Sequence, residues 1–114
     1  MRHAFVYRAS ERFAGWPANN GVWCWGNEIL VGFNVGHFKD NQVGHSIDRD
    51  KPSRAVLARS TDGGETWTIE EPDTYAWEDV DAKPCPGEIN FAAAGFAMKC
   101  RNAKFLASCD RGKT

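Results

Sequence analysis

Apolar and β-branched residues along this chain fall in short runs that are separated by turn-forming residues, a pattern typical of β-strands. Three pairs of such runs predict three β-hairpins. The pairs are residues 21–25 (GVWCW) and 28–35 (EILVGFNV) around Gly26-Asn27, residues 54–60 (RAVLARS) and 66–71 (TWTIEE) around Asp62-Gly63-Gly64, and residues 90–100 (NFAAAGFAMKC) and 103–109 (AKFLASC) around Arg101-Asn102. The chain is therefore predicted to be all-β.

Two segments lack this pattern and read as long loops. Residues 36–53 are polar and charged with interspersed glycine, and residues 72–88 contain three of the five prolines. Long loops inside a compact domain are often functional, so we expect functional residues in these two segments.

Length and composition are those of one soluble globular domain. The 114 residues are 42% hydrophobic and 25% charged, with a formal net charge of −1. A net charge this close to zero gives no sign of the basic surface that binds nucleic acid. No apolar run approaches the roughly 20 residues that span a bilayer. The start, MRHAFVYRAS, lacks the apolar stretch of a secretory signal, and nothing in the sequence indicates a compartment.

The four cysteines, Cys24, Cys85, Cys100 and Cys109, do not form a CxxC pair, and the three histidines do not complete a zinc-ligand pattern with them. Without a secretion signal, buried free thiols are the expected state, with disulfide pairing as the alternative. No metal site is predicted.

A motif occurs twice. Residues 60–67 read S-x-D-x-G-x-T-W, through Ser60, Asp62, Gly64, Thr66 and Trp67. Residues 108–114 read S-x-D-x-G-x-T, and the matching positions are Ser108, Asp110, Gly112 and Thr114. The repeat of about 48 residues is the size of one four-stranded blade of a β-propeller.

The motif resembles the Asp box, or BNR repeat, of the sialidase superfamily. That resemblance implies a six-bladed β-propeller, with each box at the turn between the third and fourth strands of a blade. Residues 1–114 would then be a partial propeller domain that covers roughly the first two blades, the second box being truncated at Thr114. The other blades would lie outside this chain.

The box itself is expected to be structural. In a tight turn Ser60 and Asp62 can hydrogen-bond to nearby backbone groups, the glycines permit positive φ, and Trp67 can pack beneath the turn. Asp62 and Glu65 are therefore not predicted to be a catalytic pair.

The family's sugar site lies at the opposite end of the propeller and contains three arginines that hold a sialate carboxylate, an Asp acid/base and a Tyr nucleophile assisted by Glu. In the stretch that resembles the first arginine motif, Gly15 stands at the arginine position and Arg12 is the nearby substitute. In the second, Phe33 matches, but Val35 and His37 replace Glu and Arg. A neutral sugar is the alternative to sialate.

The acid/base Asp is expected from the loop that follows, where Asp40, Asp48 and Asp50 are available. The resemblance favours Asp48 as the catalytic residue, with Arg12, His37 and Asp50 binding substrate. The nucleophile and the remaining arginines would come from other blades. A solvated turn is the alternative for residues 48–50.

Other candidates have plainer interpretations. Trp16, Trp23 and Trp25 could stack on sugars, but the alternation of the last two favours a core role. His37 and His45 could bind a sugar hydroxyl or shuttle a proton, although loop histidines usually do neither. The acidic residues 78–81 fit no calcium-loop spacing and favour a solvated loop.

The sequence thus predicts a sialidase-like, exo-acting glycoside hydrolase that acts on terminal sugars of glycans and needs no cofactor. Its partner is a carbohydrate, not nucleic acid or a membrane. The alternative is a non-catalytic Asp-box propeller that binds glycans or proteins.

Overall fold

The computed structural model describes residues 2–71, 87–101 and 104–113. Within them, every ladder between strands is antiparallel and helix is confined to one turn, so the predicted all-β class is confirmed. The elements are β1 (Arg12–Gly15), α1 (Pro17–Asn20), β2 (Val22–Trp25), β3 (Glu28–His37), β4 (Arg54–Ser60), β5 (Thr68–Glu70), β6 (Ala97–Arg101) and β7 (Lys104–Ser108). No helix in these residues is long and apolar enough to cross a membrane.

The first sheet is an antiparallel meander with four rows of strands. One outer row consists of two short strands, β1 and β2, with a break between them. β1 pairs with the end of β3 and β2 with its beginning, both on the edge of β3 that β4 leaves open. The single turn α1 separates them. It begins with Pro17 at its first position and is followed by Gly21 at φ 102°, the arrangement that suits a short helix between strands. The rows therefore run β1/β2, β3, β4, β5 in chain order.

All three predicted hairpins are present in the structure. β2 and β3 meet at Gly26-Asn27, with Trp25 opposite Glu28. β4 and β5 flank the predicted turn, although β5 is shorter than expected because it begins only at Thr68.

The third hairpin is confirmed, but its first strand was predicted too long. β6 starts at Ala97, and the preceding residues form turns rather than a strand. Asn90 causes this, because its side-chain carbonyl accepts the N–H of Ala92 at 3.0 Å and its backbone carbonyl accepts that of Ala93 at 3.1 Å. Such local bonding competes with a strand ladder. Arg101 pairs with Lys104 at the end of the β6–β7 ladder.

The two faces of the first sheet carry separate apolar clusters because side chains alternate along β3. One cluster contains Phe33, Val35, Val56 and Ala58, and the N-terminal residues Val6 and Tyr7 pack against it. The Tyr7 and Phe33 rings lie 5.5 Å apart, centroid to centroid.

The other side of the sheet, here called the Leu30 face, carries Leu30 and Leu57 with Trp23 and Trp25 packed against them. The core role predicted for these two tryptophans is therefore confirmed. The turn that follows β7 also sits on this face, since a Cβ at Gly112 would lie only 2.7 Å from Cδ2 of Leu30.

The described cysteines are free, as expected, but they are exposed rather than buried. Cys24 lies on the outer row of the sheet, Cys100 on the outward side of the β6–β7 hairpin, and Cys109 at the start of a turn. Cys85 lies outside the described residues.

Candidate functional site

The two ends of the first sheet differ in character, and the register of β3 shows which residues share an end. Ile29, near the start of β3, pairs with Ser60, so the turn of residues 60–67 lies at that end. His37, at the end of β3, pairs with Arg12, and the long loop of residues 38–53 leaves from there. We call these the turn end and the loop end.

At the turn end, residues 60–67 form a closed set of hydrogen bonds that we call the first serine–aspartate turn. The hydroxyl of Ser60 donates to Oδ1 of Asp62 at 2.8 Å and accepts the N–H of Gly64 at 2.9 Å. Asp62 in turn accepts the backbone N–H of Thr66 at 2.9 Å and its hydroxyl at 2.5 Å. The turn is thus held by its own side chains.

Two further features fix this turn. Gly63 and Gly64 adopt φ values of 74° and 95°, which favour glycine. The indole N–H of Trp67 donates to the carbonyl of Gly64 at 3.0 Å, and Trp67 packs on the Phe33 cluster. These contacts agree with the structural role expected for the motif.

The hydrogen bonds also change the acidity of Asp62. The Thr66 hydroxyl, the Thr66 backbone N–H and the Ser60 hydroxyl all stabilise its carboxylate, and they lower its pKa from 3.8 to about 2. A carboxylate so firmly held in its ionised form is unsuited to donating a proton near neutral pH.

The second copy of the motif folds the same way. In this second serine–aspartate turn, residues 108–113, the Ser108 hydroxyl donates to Asp110 at 2.7 Å and accepts the N–H of Gly112 at 2.8 Å. Asp110 accepts the N–H of Lys113 at 3.1 Å. Gly112 has a φ of 73° and Arg111 one of 62°. Thr114 lies outside the described residues.

The second turn is tied to the Leu30 face by an ionic network. The Arg111 guanidinium donates to Oε2 of Glu28 at 2.6 Å, and Arg59 donates to Oε1 of Glu28 at 2.7 Å. Arg59 also reaches the Arg111 carbonyl at 3.0 Å and holds both carboxylate oxygens of Glu70. The two arginines lower the pKa of Glu28, with Arg111 as the main cause. This network was not predicted, because residues 28, 59, 70 and 111 are far apart in the sequence.

At the loop end, the structure brings together two residues predicted to bind substrate. Arg12 and His37 are directly opposite each other in β1 and β3, and one guanidinium nitrogen of Arg12 lies 2.7 Å from Nδ1 and 2.8 Å from Nε2 of His37. Both side chains are open to solvent on one side, so the pair can meet a ligand at this edge.

Asp48, the predicted catalytic residue, lies beside this pair. Its backbone N–H donates to the His37 carbonyl at 2.8 Å, so the loop returns to the end of β3 at this point. Its side chain is 14% exposed and faces Lys39 and Lys51, at 3.8 and 3.6 Å. Asp48 is therefore a partly enclosed carboxylate at the loop end.

Asp50 is more exposed than Asp48 and lies within the same group. Its backbone N–H donates to Oδ1 of Asp48 at 3.2 Å, and its carboxylate lies 3.6 Å from Nζ of Lys39. The structure thus places Asp50 next to Asp48, as a surface carboxylate. The contacts of Asp48 and Asp50 with the lysines were not anticipated, although the alternation of opposite charges in this loop was an available signal.

Aromatic side chains flank the loop end. Trp16 meets His45 edge to face at 5.0 Å and Phe13 at 5.3 Å between ring centroids. Trp16 has a φ of 58°, and the buried Asn20 side chain holds its carbonyl at 2.9 Å. Strained backbone of this kind is often found near functional sites. Phe13 was missed by sequence reasoning, since β1 is too short to stand out.

The part of the chain that the structure describes contains no candidate metal centre. Among residues 2–71, 87–101 and 104–113, no group of three or more His, Cys, Asp or Glu side chains could hold a metal ion. The acidic residues 78–81 lie outside this range.

Comparison with known proteins does not assign a family. No family model, no curated protein and no solved structure matches this chain.

Proposed function

We propose that this chain carries the architecture of the sialidase-type Asp-box propellers, with the β1/β2–β5 meander as one blade and the β6–β7 hairpin as part of the next. Three observations support this. The first turn joins the third and fourth rows of the meander. The second turn follows β7 and has the same serine–glycine hydrogen bond as the first. In addition, the second turn packs on the face of the first sheet, as successive blades would.

On this basis we propose a glycoside hydrolase that acts on terminal sugars of glycans, with its site at the loop end. The observation that carries the proposal is the position of Asp48. It is a partly enclosed carboxylate that adjoins the Arg12–His37 pair at the end of the sheet opposite the first turn.

The chemistry assigned to each residue follows from its type. Asp48 would protonate the glycosidic oxygen as the bond to the leaving group breaks and would then accept a proton from water. Arg12 would bind a sugar carboxylate or hydroxyl, with His37 and Asp50 as further hydrogen-bonding groups. The nucleophile and additional arginines would belong to further blades.

The leaving group of the substrate provides the test. In the protein that contains this chain with its further blades, Asp48→Asn should lower kcat/KM about 100-fold or more on alkyl glycosides, whose leaving groups need protonation. The loss should be much smaller on aryl glycosides with acidic leaving groups. Asp40→Asn, an exposed carboxylate on the same loop, serves as the control and should change neither rate. Equal rates for Asp48→Asn and wild type on alkyl glycosides would exclude Asp48 as the acid/base.

A second candidate function is non-catalytic glycan binding. It is favoured by the ion pairs that Asp48 makes with Lys39 and Lys51, and by Gly15 and His37 at positions where the family has arginine. Binding of sialosides or neutral sugars, without turnover of any glycoside, would support this candidate over the hydrolase. Detectable hydrolysis that depends on Asp48 would exclude it.

A further inference from the structure

The bond between Arg12 and His37 depends on the charge of the imidazole ring. Nη1 of Arg12 lies 2.7 Å from Nδ1 and 2.8 Å from Nε2 of His37. A neutral imidazole has one N–H and one lone pair, whereas a protonated ring has two N–H groups and no acceptor. Because a guanidinium can only donate, the bond exists only while His37 is neutral. Both ring nitrogens are within reach of Nη1, so either neutral tautomer can accept it.

The backbone holds the two side chains side by side whether or not this bond is made. Arg12 and His37 are directly opposite each other in the β1–β3 ladder. Next to them the Phe38 N–H donates to the Glu11 carbonyl at 3.0 Å, and on the other edge the Asp48 N–H donates to the His37 carbonyl at 2.8 Å. Like charges directly opposite each other on paired strands repel. A protonated His37 would therefore remain beside Arg12 as a second positive charge.

Most of the other charges around His37 are already paired with one another. The pairs are Asp48 with Lys39 and Lys51 from the loop, Asp50 with Lys39, and Arg54 at the start of β4 with Glu71. Glu11, Asp40 and Arg49 are exposed, where water and salt screen their charges. The added charge of a protonated His37 would thus act mainly on Arg12 and on any ligand that the two side chains share.

We propose that His37 is a positioning residue that competes with ligand for Arg12 under the control of a proton, and so sets the preference of the loop end between carboxylate-bearing and neutral sugars. The neutral ring occupies Nη1 of Arg12 with its lone pair. The protonated ring releases Nη1 and becomes a second charged donor, so a ligand carboxylate can accept from both groups. This inference rests on the proposed function, because it concerns ligand choice at the same site.

The expected direction with pH follows from this exchange of roles. Imidazole is the side chain whose charge ordinarily changes between pH 5 and 8. A bound carboxylate favours the protonated ring, and by linkage the protonated ring favours the bound carboxylate. Acid conditions therefore strengthen the binding of an anionic sugar, whereas a neutral sugar gains no such charge interaction.

NMR of the isotope-labelled chain tests the switch without any sugar. As the pH falls from 8 to 5, the side-chain Nε–H signal of Arg12 should shift with the same midpoint as the ring nitrogens of His37. His37→Gln keeps a side-chain acceptor but carries no titrating group, so the Arg12 signal should then stay constant. Carboxylates and ammonium groups ordinarily titrate outside this range.

The matched control for this titration is His45→Gln. His45 is also at the loop end, but its ring packs on Trp16 rather than on Arg12, so the variant should keep the wild-type titration of the Arg12 signal. An Arg12 signal that does not move in wild type, or that titrates equally in His37→Gln, would overturn the proposal.

Sugar binding over the same pH range tests the effect on ligand choice. In the protein that contains this chain with its further blades, a methyl sialoside should bind about fivefold or more tightly at pH 5 than at pH 8. His37→Gln should bind it equally at both pH values, and wild type should bind a neutral methyl glycoside equally at both. Equal affinity of wild type for the sialoside at the two pH values would overturn this inference and leave the proposed function standing. Absence of binding by both sugars at every pH would instead overturn the proposed function, and this ligand preference with it.

Discussion

Ser60 and Ser108 show how a single hydroxyl can organise a turn. Each donates to the aspartate two positions later and accepts the glycine N–H four positions later, at distances that agree within 0.1 Å between the copies. The carboxylates are therefore occupied by neighbours within the turn. This explains why the aspartates of the motif have a structural role and why that role could be predicted from the sequence.

Asp62 makes the first turn sensitive to acid. The pKa of Asp62 is lowered to about 2 in the folded chain from an ordinary value of 3.8. The ionised carboxylate therefore contributes its full stabilisation above about pH 3.8, and this stabilisation is lost as the pH falls toward 2. Asp62→Asn should lower the Tm by a few degrees near neutral pH and should flatten the decline of Tm between pH 4 and pH 2. Thermal melting monitored by circular dichroism measures both effects.

The comparison variant for Asp62 is Asp50→Asn. Asp50 is exposed, and among the described residues it makes one ion pair, with Lys39 at 3.6 Å, so its replacement should leave the Tm within experimental error. If Asp62→Asn melted with the same pH dependence as wild type, the hydrogen bonds to Asp62 would not be stabilising the fold.

The loop end was only partly predictable from single residues. The resemblance to a known family indicated Arg12, His37 and Asp48, and the structure gathers them at one corner of the sheet. The ion pairs of Asp48 with Lys39 and Lys51 were not predicted. They depend on the path of the loop, which is set by tertiary contacts rather than by local pattern.

Strands and turns were predictable where their signals are local. The β2–β3 and β4–β5 hairpins followed from turn residues between apolar runs, and the structure contains both. β1 was missed because its four residues carry little pattern and their strand form depends on pairing with the distant end of β3. α1 was missed too, although Pro17 and Gly21 were a usable signal for a short helical turn.

Arg59 and Arg54 allow a matched test of how strands β4 and β5 are held. Both arginines lie on β4 and bind a glutamate at or next to β5, but Arg59 is 9% exposed whereas Arg54 is on the surface. Breaking a buried ion pair by removing one partner costs roughly 3–5 kcal/mol. Because Glu70 is one-third exposed, we expect Arg59→Met to lower the free energy of unfolding by about 2 kcal/mol. Urea denaturation provides the measurement.

The exposed Arg54–Glu71 ion pair provides the control for that experiment. Arg54→Met removes the 2.6 Å contact with Glu71 and should cost about 0.5 kcal/mol or less, because exposed ion pairs contribute little. Equal losses for the two variants would mean that the contacts of Arg59 stabilise the fold no more than a surface ion pair does.

The molecule as a whole has the first turn at one end of the four-row sheet and the proposed site at the other. The first turn lies at one end of the four-row sheet, and the second turn secures the next hairpin against the Leu30 face. The other end carries the long loop, the Arg12–His37 pair and Asp48, with Trp16 and His45 beside them. The resemblance to a known family suggested this division, whereas the packing of the second turn on Leu30 could be seen only in the fold.

Mapping a sugar onto the chain tests this division most directly, whether or not the protein is catalytic. Backbone amide signals of ¹⁵N-labelled chain would be followed by NMR during titration with a methyl sialoside and with a neutral methyl glycoside. We predict that at least one of these sugars shifts the amides of Arg12 and of residues 36–53, and leaves residues 60–67 and 108–113 unchanged. Shifts confined to the two serine–aspartate turns, or no shifts with either sugar, would contradict the assignment of function to the loop end.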